Sequence, residues 1–467
     1  MEKDFGNLSM ERLQIEDLEM GYTLEEPLPP IGFGKVQFMV LSYSGLGWVA
    51  EAMEMMLLSF VGAAIQPEWA LSSAEESFLS AVAFTGIIVG ASSWDLFSDF
   101  YGTKKGFLGI SLVSTIAGFL SAFAPNYISL LILRFFAGYG IGCAHMLASS
   151  FLEFVPIQNR GTWMTVFSAS WTFATTIEAA IAWWIMHRFG WRHLLGVSTL
   201  PYLLTLVYYG LVKQPPRHQF HTQGRFSILV TNNIKVTAMC IEGQVSGYIW
   251  FHFGYSLPQS IRTTVFIWLL YFATSFTYYS IGFLTSHICY EESGTCGMPS
   301  IQDARFYINM FITSFAELPG LALASLILVK VGRRISMEIM IIAGLILLLP
   351  LVVHQNTITT TAYLFGARVF ISATFIVSQI CAPEVYLSNF RATGVGVAMT
   401  LGKIVGIVCP LIAAGIGSGC HQTLPLIMFV VTTLLLGLSV VLLPFETRGR
   451  LLQDNIDSPL KHKLLPY

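Results

Sequence analysis

Residues 128–152 read ISLLILRFFAGYGIGCAHMLASSFL, an apolar run in which Arg134 is the sole member of the Asp, Glu, Lys and Arg group. A helix needs roughly 20 apolar residues to cross about 30 Å of hydrocarbon, so this run is long enough to span a membrane. A permanent charge inside such a run is costly and calls for a partner or a wet cavity. The stretch therefore predicts a membrane helix with one arginine that pairs or binds.

Runs of this kind recur along the whole chain. The candidate spans are residues 37–63, 77–97, 107–124, 128–152, 161–187 and 193–213, followed by 262–288, 304–329, 336–354, 358–382, 392–417 and 423–443. The runs are too long, and alternate too little, for the strands of a membrane barrel. We therefore predict an all-α membrane protein with about 12 transmembrane helices in two six-helix pseudo-repeats.

The composition agrees with this class and argues against others. Of 467 residues, 54% are hydrophobic and 11% are charged, whereas soluble domains are about a quarter charged. The net charge of −2 and the lack of a basic stripe predict no nucleic-acid partner. Gly138-x-Gly140-x-Gly142 lies inside an apolar run, so it predicts no dinucleotide site. No Walker loop, metal-ligand spacing or catalytic constellation occurs, so we expect no cofactor, no metal and no enzyme.

Basic residues cluster in alternate loops, which predicts the orientation. Those on one side are Lys104, Lys105, Arg160, Lys213, Arg217, Arg225, Lys330, Arg333, Arg334, Arg391, Arg448 and Arg450. By the positive-inside rule this side is cytoplasmic, together with both termini. The expected organisation is a cytoplasmic tail at 1–36, a six-helix bundle at 37–213, a cytoplasmic central loop at 214–261, a second bundle at 262–445 and a cytoplasmic tail at 446–467. The segment 226–256 mixes polar and apolar residues and has no clear assignment.

The two sets of spans repeat one another. Glu153 and Arg160 follow span four, and Glu384 and Arg391 follow span ten at the same mutual spacing. Each pair comes after a span that contains an arginine, which is Arg134 in span four and Arg368 in span ten. Parallel six-helix repeats are a known transporter architecture, with the binding site where the repeats meet. We interpret the two Glu–Arg pairs as gate latches, formed in one conformation and broken in another.

These paired motifs resemble the major facilitator superfamily, and its sugar-porter-like branch within it. The motifs are Arg134-x-x-x-Gly138-x-Gly140, Glu153-Phe-Val-Pro-Ile-Gln-Asn-Arg160-Gly161, Gly190-Trp-Arg192, Ala382-Pro-Glu-Val-Tyr386 and Pro444-Phe-Glu-Thr-Arg-Gly449. More narrowly, Ala50-Glu-Ala-Met-Glu-Met-Met56 and Ala316-Glu-Leu-Pro-Gly320 resemble nicotinate and organic-cation transporters related to synaptic vesicle protein 2. Phe365-Gly-Ala-Arg368 and Gly419-Cys-His-Gln-Thr423 resemble the plant organic cation/carnitine transporter-like members.

The resemblance implies a monomeric secondary transporter that moves a small charged organic metabolite across a lipid bilayer by alternating access. The embedded carboxyl groups of Glu51, Glu54 and Glu317 predict protons as the coupling ion. It implies nicotinate or an N-methylated pyridine as the first substrate candidate and carnitine or another organic cation as the second. The plasma membrane is the first expected location and the vacuolar membrane the second.

The loop signatures after spans two and eight depart from the family pattern. Asp99 and Arg333 remain as further gate latches, but Phe100, Thr103 and Val329 replace expected charged positions. A difference of about 1.4 kcal/mol between two conformations already shifts their populations tenfold. A transport-deficient membrane sensor or regulatory paralogue therefore stays open as the alternative.

Charges within the spans are candidates for substrate or proton binding. Glu51 and Glu54 lie mid-span at a spacing that places both on one helical face. They could bind a cation or a coupled proton, or they could bridge to a neighbouring helix. Because spans one, four, seven and ten line the cavity in the resembled fold, a functional role is favoured for at least one of them.

The other embedded charges carry similar alternatives. Arg134 and Arg368 could each clamp a substrate carboxylate or neutralise a buried glutamate. Glu317 precedes Pro319, where a bend in the helix is expected. The remaining ionisable groups within spans are Glu178, Lys403 and His145. Lys403 is expected to be the countercharge of one of the acids, and His145 is either a packing residue or a proton exchanger.

Two further features complete the predicted site. Trp171, Tyr278 and Tyr279 are deep enough in their spans to cradle a ring or a quaternary ammonium group, although most aromatic residues must serve packing. Cys289 and Cys296 share one polar loop, where a disulfide could form if the loop is extracytoplasmic.

Overall fold

A computed structural model describes residues 34–101, 103–142, 147–148, 151, 155, 160–209, 258–291, 304–352, 357–385, 391–417 and 423–442. The two predicted tails and the segment 226–256 lie outside this part of the chain. Within it the secondary structure is helical throughout. This agrees with the long apolar runs, because lipid leaves the backbone no partner but its own helix.

The first set contains seven helices whose bounds lie in the described part of the chain. They are α1 (Lys35–Glu68), α2 (Ser73–Tyr101), α3 (Thr103–Ser121), α4 (Tyr127–Ile141), α5 (Arg160–Phe189), α6 (Trp191–Ser198) and α7 (Leu200–Tyr208). The helices α6 and α7 together occupy the predicted sixth span. They are separated at Thr199, just before Pro201, whose ring is tolerated in the first turn of a new helix.

The second set follows in the C-terminal part of the chain. It consists of α8 (Pro258–Glu291), α9 (Ala304–Phe315), α10 (Glu317–Val331), α11 (Arg333–Leu348) with a 3₁₀ turn at Leu349–Val352, α12 (Thr357–Val385), α13 (Arg391–Gly417) and α14 (Thr423–Val441). Seven segments of the described chain are long and apolar enough to cross a membrane, and three shorter apolar helices accompany them. The all-α membrane class is thereby confirmed, while the count of twelve spans stays a prediction.

The bend expected near Glu317 is present as a break between α9 and α10 at Ala316. Pro319 has no N–H to donate to the carbonyl four residues earlier, so the hydrogen-bond ladder is interrupted there. The Ala316 amide instead donates to the Thr313 carbonyl at 3.2 Å. The break makes Glu317 the first residue of a helix in the interior of the protein.

Close contact between α2 and α4 depends on glycine. An added Cβ at Gly138 of α4 would lie 2.1 Å from the carbonyl oxygen of Ala83, and one at Gly90 of α2 would lie 2.1 Å from that of Tyr139. In lipid, where helices gain little from hydrophobic association, small residues permit the backbone approach that van der Waals packing needs. The glycines of span four therefore serve packing.

The two sets of helices meet at several pairs of neighbouring helices in the described chain. Helix α2 packs on α13, and α5 packs on α9 and α10. Near the ends predicted to be extracytoplasmic, the rings of Phe60 and Tyr307 lie 6.2 Å apart and those of Trp183 and Phe311 lie 6.5 Å apart. The halves are therefore in contact on that side.

Replacing Gly138 by alanine should destabilise the protein, because the new methyl group would collide with backbone rather than with a flexible side chain. Overpacking of this kind costs about 1–3 kcal/mol, so the melting temperature of the purified protein in detergent should fall by several degrees. Gly196→Ala is the matched control, since a Cβ added at Gly196 would meet nothing within 4 Å. An equal response of the two variants would contradict the close-packing role.

Candidate substrate-binding site

A cavity with an empty volume of about 560 Å³ lies between the two halves. Helices α1, α2 and α5 of the first set and α8, α12 and α13 of the second contribute to its wall. Five aromatic side chains line it, namely Trp48, Trp171, Tyr271, Tyr279 and Phe375. Glu51 and Lys403 are the two charged residues among its lining, so the wall is aromatic with one charge of each sign.

Glu51 and Lys403 form an ion pair that joins the halves. The Lys403 Nζ donates to Glu51 Oε1 at 2.8 Å and lies 5.8 Å from the ring centre of Trp171. The hydroxyl of Tyr279 is a further hydrogen-bonding neighbour of the ammonium group. The second carboxylate oxygen of Glu51 is buried and has no hydrogen-bond partner among the described residues. The countercharge expected for Lys403 is thus Glu51.

Glu54 forms an ion pair with a different cation from that of Glu51. Its carboxylate pairs with Arg134 of α4, inside the first half, and both side chains are buried. The Arg134 Nε also donates to the Ser121 hydroxyl at 3.2 Å. Glu51 and Glu54 therefore do not share one ion-pair site, although they are three residues apart on α1.

A second buried pair lies in the other half, behind the cavity wall. Glu317 Oε1 accepts hydrogen bonds from Arg368 Nη2 at 2.9 Å and Nε at 3.3 Å, and from the Tyr278 hydroxyl at 2.8 Å. Its Oε2 accepts from the Thr175 hydroxyl of α5 at 2.9 Å. The Trp171 Nε1 donates to the Tyr278 hydroxyl at 3.1 Å. Thr175 and Trp171 belong to the first half, so this polar network also crosses between the halves.

The structure separates the predicted binding residues by their position. Glu51, Trp171 and Tyr279 lie in the cavity wall, and Tyr278 lies directly behind it, stacked on Phe375 at 4.7 Å between ring centres. Glu54, Arg134, Glu317 and Arg368 form ion pairs and are not among the lining residues. Both arginines neutralise buried glutamates, which was one of the two alternatives open for them. Their roles in binding stay predictions.

The predicted gate latches fall mostly beyond what the structure describes. Arg333 is the first residue of α11. Glu153 lies outside the described residues. The side chains of Asp99, Arg160, Glu384 and Arg391 also lie outside them, although their backbones belong to α2, α5, α12 and α13. His145, Cys296 and the side chain of Cys289 also lie outside them. The latch roles and the disulfide therefore stay predictions.

Sequence reasoning did not single out several lining residues, including Trp48, Tyr271, Phe375 and Gln379. Aromatic residues make up 13% of the chain, so position in a span cannot distinguish cavity rings from lipid-facing ones. The charge of Lys403 was the usable signal, because a lysine within a span needs an acid nearby. Thr175 and Ser121 carried no such signal.

Two helical bundles facing each other across a cavity, in a chain of long apolar helices, define a multi-pass membrane transporter. A family model described as the Major Facilitator Superfamily matches residues 44–410. The chain belongs to the major facilitator superfamily, and the resemblance drawn from its motifs is confirmed.

Curated relatives and solved structures agree with this membership. The chain is 41% identical to organic cation/carnitine transporter 7 of Arabidopsis thaliana, over 94% of this chain and 97% of the relative. It is 30% identical to the synaptic vesicle 2-related protein of Xenopus laevis, over 93% of this chain and 83% of that protein. The fold matches the proton:xylose symporter XylE bound to 6-bromo-6-deoxy-D-glucose with a TM-score of 0.71 at 16% identity, over 89% of this chain and 98% of that chain.

Glu317→Gln should destabilise the protein strongly, because Arg368 would keep a buried charge without a countercharge. Breaking a buried ion pair by removing one partner costs about 3–5 kcal/mol. The measurement is the unfolding midpoint of the purified protein in detergent. Glu338→Gln is the matched control, since it removes the partially exposed pair with Arg334 on α11, and such pairs contribute about 0.3–0.5 kcal/mol. Comparable losses in the two variants would contradict the buried-pair interpretation.

Proposed function

We propose that this protein is a secondary carrier of a small organic zwitterion with a quaternary ammonium group, by alternating access and with proton coupling. Carnitine and N-methylated pyridine carboxylates are the candidate substrates. The observation that carries the proposal is the Glu51–Lys403 ion pair in the aromatic wall of the central cavity. This choice ranks carnitine-like compounds above nicotinate, which lacks a fixed cation.

The cavity wall suits a quaternary ammonium group. Such a group has no N–H to donate, so it is recognised by aromatic faces and by a nearby negative charge. Trp48, Trp171 and Tyr279 provide aromatic surface, and Glu51 provides the carboxylate. The buried Glu51 oxygen without a partner in the described chain leaves part of this negative charge available to a ligand.

The ammonium group of Lys403 suits the carboxylate end of the ligand. Lys403 is less buried than Glu51, with 18% of its side chain exposed against 3%. A substrate carboxylate can therefore approach the ammonium group while the substrate cation approaches Glu51. The ligand would then replace the internal ion pair by two external ones, which leaves neither buried charge unpaired.

This exchange links binding to motion of the halves. Glu51 and Lys403 belong to opposite halves, so their bond must lengthen when the halves rock apart at that level. A zwitterion that bridges the two residues would keep both charges satisfied during the movement. A substrate with differential affinity for the two conformations is what shifts their equilibrium.

Proton coupling is the proposed energy source. Among the described residues, the carboxyl groups of Glu51, Glu54, Glu178 and Glu317 are buried. Buried carboxyls whose countercharges change between conformations change their proton affinity, which is the requirement for coupling. We further propose a monomer in the plasma membrane, with the vacuolar membrane as the second location.

The first experiment is uptake by the purified full-length protein in liposomes, with and without an inward proton gradient. Labelled carnitine, N-methylnicotinate, choline and nicotinate would represent two zwitterions, a pure cation and a pure anion. We expect saturable, gradient-dependent uptake of at least one zwitterion, at rates more than tenfold above those of choline and nicotinate. Uptake of choline or nicotinate alone would contradict the role assigned to the ion pair, and no uptake of any compound would favour a sensor or regulatory paralogue.

Single variants of the pair should separate the two ends of the ligand. Glu51→Gln should raise the KM for the zwitterion at least tenfold, since it removes the attraction to the ammonium group. Lys403→Met should also raise the KM at least tenfold, since it removes the attraction to the carboxylate of the substrate. Glu75→Gln is the control, because this glutamate is exposed at the start of α2, away from the cavity. Unchanged KM values in both pair variants would show that the substrate binds elsewhere.

A further inference from the structure

The buried charges of the described chain do not balance. The interior holds four carboxyl groups, at Glu51, Glu54, Glu178 and Glu317, and three cations pair with them, at Arg134, Arg368 and Lys403. Each cation takes one carboxylate. Glu178 of α5 is the acid for which the described residues provide no ion-pair partner.

Glu178 is also the most deeply enclosed of these acids, with no exposed surface. Its Oε1 lies 2.7 Å from the hydroxyl oxygen of Ser198, the last residue of α6. Its Oε2 is buried and has no hydrogen-bond partner within the described chain. An ionised carboxylate needs donors on both oxygens, and a buried one without a cation is very costly.

The hydrogen bonds of Ser198 also favour a protonated Glu178. The Ser198 hydroxyl oxygen lies 2.7 Å from Glu178 Oε1 and 2.8 Å from the carbonyl oxygen of Leu194. A serine hydroxyl has one hydrogen to donate, whereas an ionised Glu178 and the carbonyl are both acceptors only. A proton on Glu178 satisfies all three groups, because Glu178 then donates to Ser198 and Ser198 donates to Leu194.

The ionisable neighbours of Glu178 are engaged elsewhere. Glu54 of α1, the acid that acts on it electrostatically, is held by Arg134 of α4. Glu317 of α10, whose carboxylate contacts Thr175 one turn away on α5, is held by Arg368 of α12. The phenol of Tyr202 on α7 is buried and carries no positive charge. None of these groups supplies a cation to Glu178, so an ionised Glu178 would lack a countercharge among the described residues.

We propose that Glu178, hydrogen-bonded to Ser198, is the binding site of the coupled proton, and that this conformation has the proton bound. The proposal rests on the proposed function for its link to transport. Release requires a conformation in which water reaches Glu178. The O–H bond of Glu178 then breaks, the proton passes to water, and water donors satisfy the Oε2 that has no partner in the described chain.

Infrared spectroscopy on the full-length protein in lipid tests the proton directly. A protonated carboxyl group gives a C=O stretching band that shifts in heavy water. We expect such a band in the wild-type protein near neutral pH, its loss in Glu178→Gln, and a frequency change in Ser198→Ala, which keeps the acid but removes its hydrogen-bond partner. Glu75→Gln should leave the band unchanged. A band that survives in Glu178→Gln, or a wild-type spectrum without one, would overturn the proposal.

Transport in liposomes tests the coupling. In the wild type, an inward proton gradient should raise zwitterion uptake several-fold, and in Glu178→Gln the ratio of uptake with and without the gradient should fall to one. Glu75→Gln should keep the wild-type ratio. Retention of gradient dependence in Glu178→Gln would remove Glu178 from coupling. If the wild type transports none of the compounds, the proposed function fails, while the infrared result still decides whether Glu178 holds a proton.

Discussion

The pairing of charges in an apolar interior is the constraint on which the rest of this structure depends. A charged side chain at the centre of a membrane span costs about 2.5–3.5 kcal/mol on insertion scales. This cost applies to several buried side chains of the protein, namely Glu51, Glu54, Arg134, Glu317 and Arg368. Each forms an ion pair, and the helices that provide the partners must therefore remain adjacent. The ion pairs therefore link α1 to α4 and to α13, and one of them adds to the packing of α10 on α12.

The three buried ion pairs of the described chain differ in which helices they connect, and this difference relates structure to transport. Glu54–Arg134 and Glu317–Arg368 each lie within one half, so they can persist while the halves move as rigid bodies. Glu51–Lys403 crosses between the halves and forms part of the cavity wall. The hydrogen bonds of Trp171 with Tyr278 and of Thr175 with Glu317 also cross between them. Stable pairs within the halves and exchangeable contacts between them are the arrangement that alternating access requires.

Sequence reasoning predicted the embedded charges but not their pairing. Glu51 and Glu54 were expected to share a face of their helix, and three residues correspond to about 60° around the helix axis. That angle is enough for Glu51 to reach Lys403 across the cavity while Glu54 reaches Arg134 inside its own half. Similarly, Glu178 was recognised as an ionisable group in a span, but its isolation from every cation of the described chain depends on which helices adjoin α5. The aromatic wall was predicted in part, through Trp171 and Tyr279, because ring positions in a span do not reveal which neighbour they face.

The sequence by itself determined the class of this protein, its repeated halves and its superfamily, because lipid imposes long apolar helices and because the paired motifs recur at matched positions. It also determined that the arginines and glutamates within spans need partners, since the cost of an unpaired charge does not depend on the fold. Only the tertiary structure decided which acid meets which base, which pair crosses between the halves, and which carboxyl remains without a cation in the described chain. Those outcomes depend on contacts between residues up to 352 positions apart, and side-chain periodicity along one helix carries no information about a helix so distant in the chain.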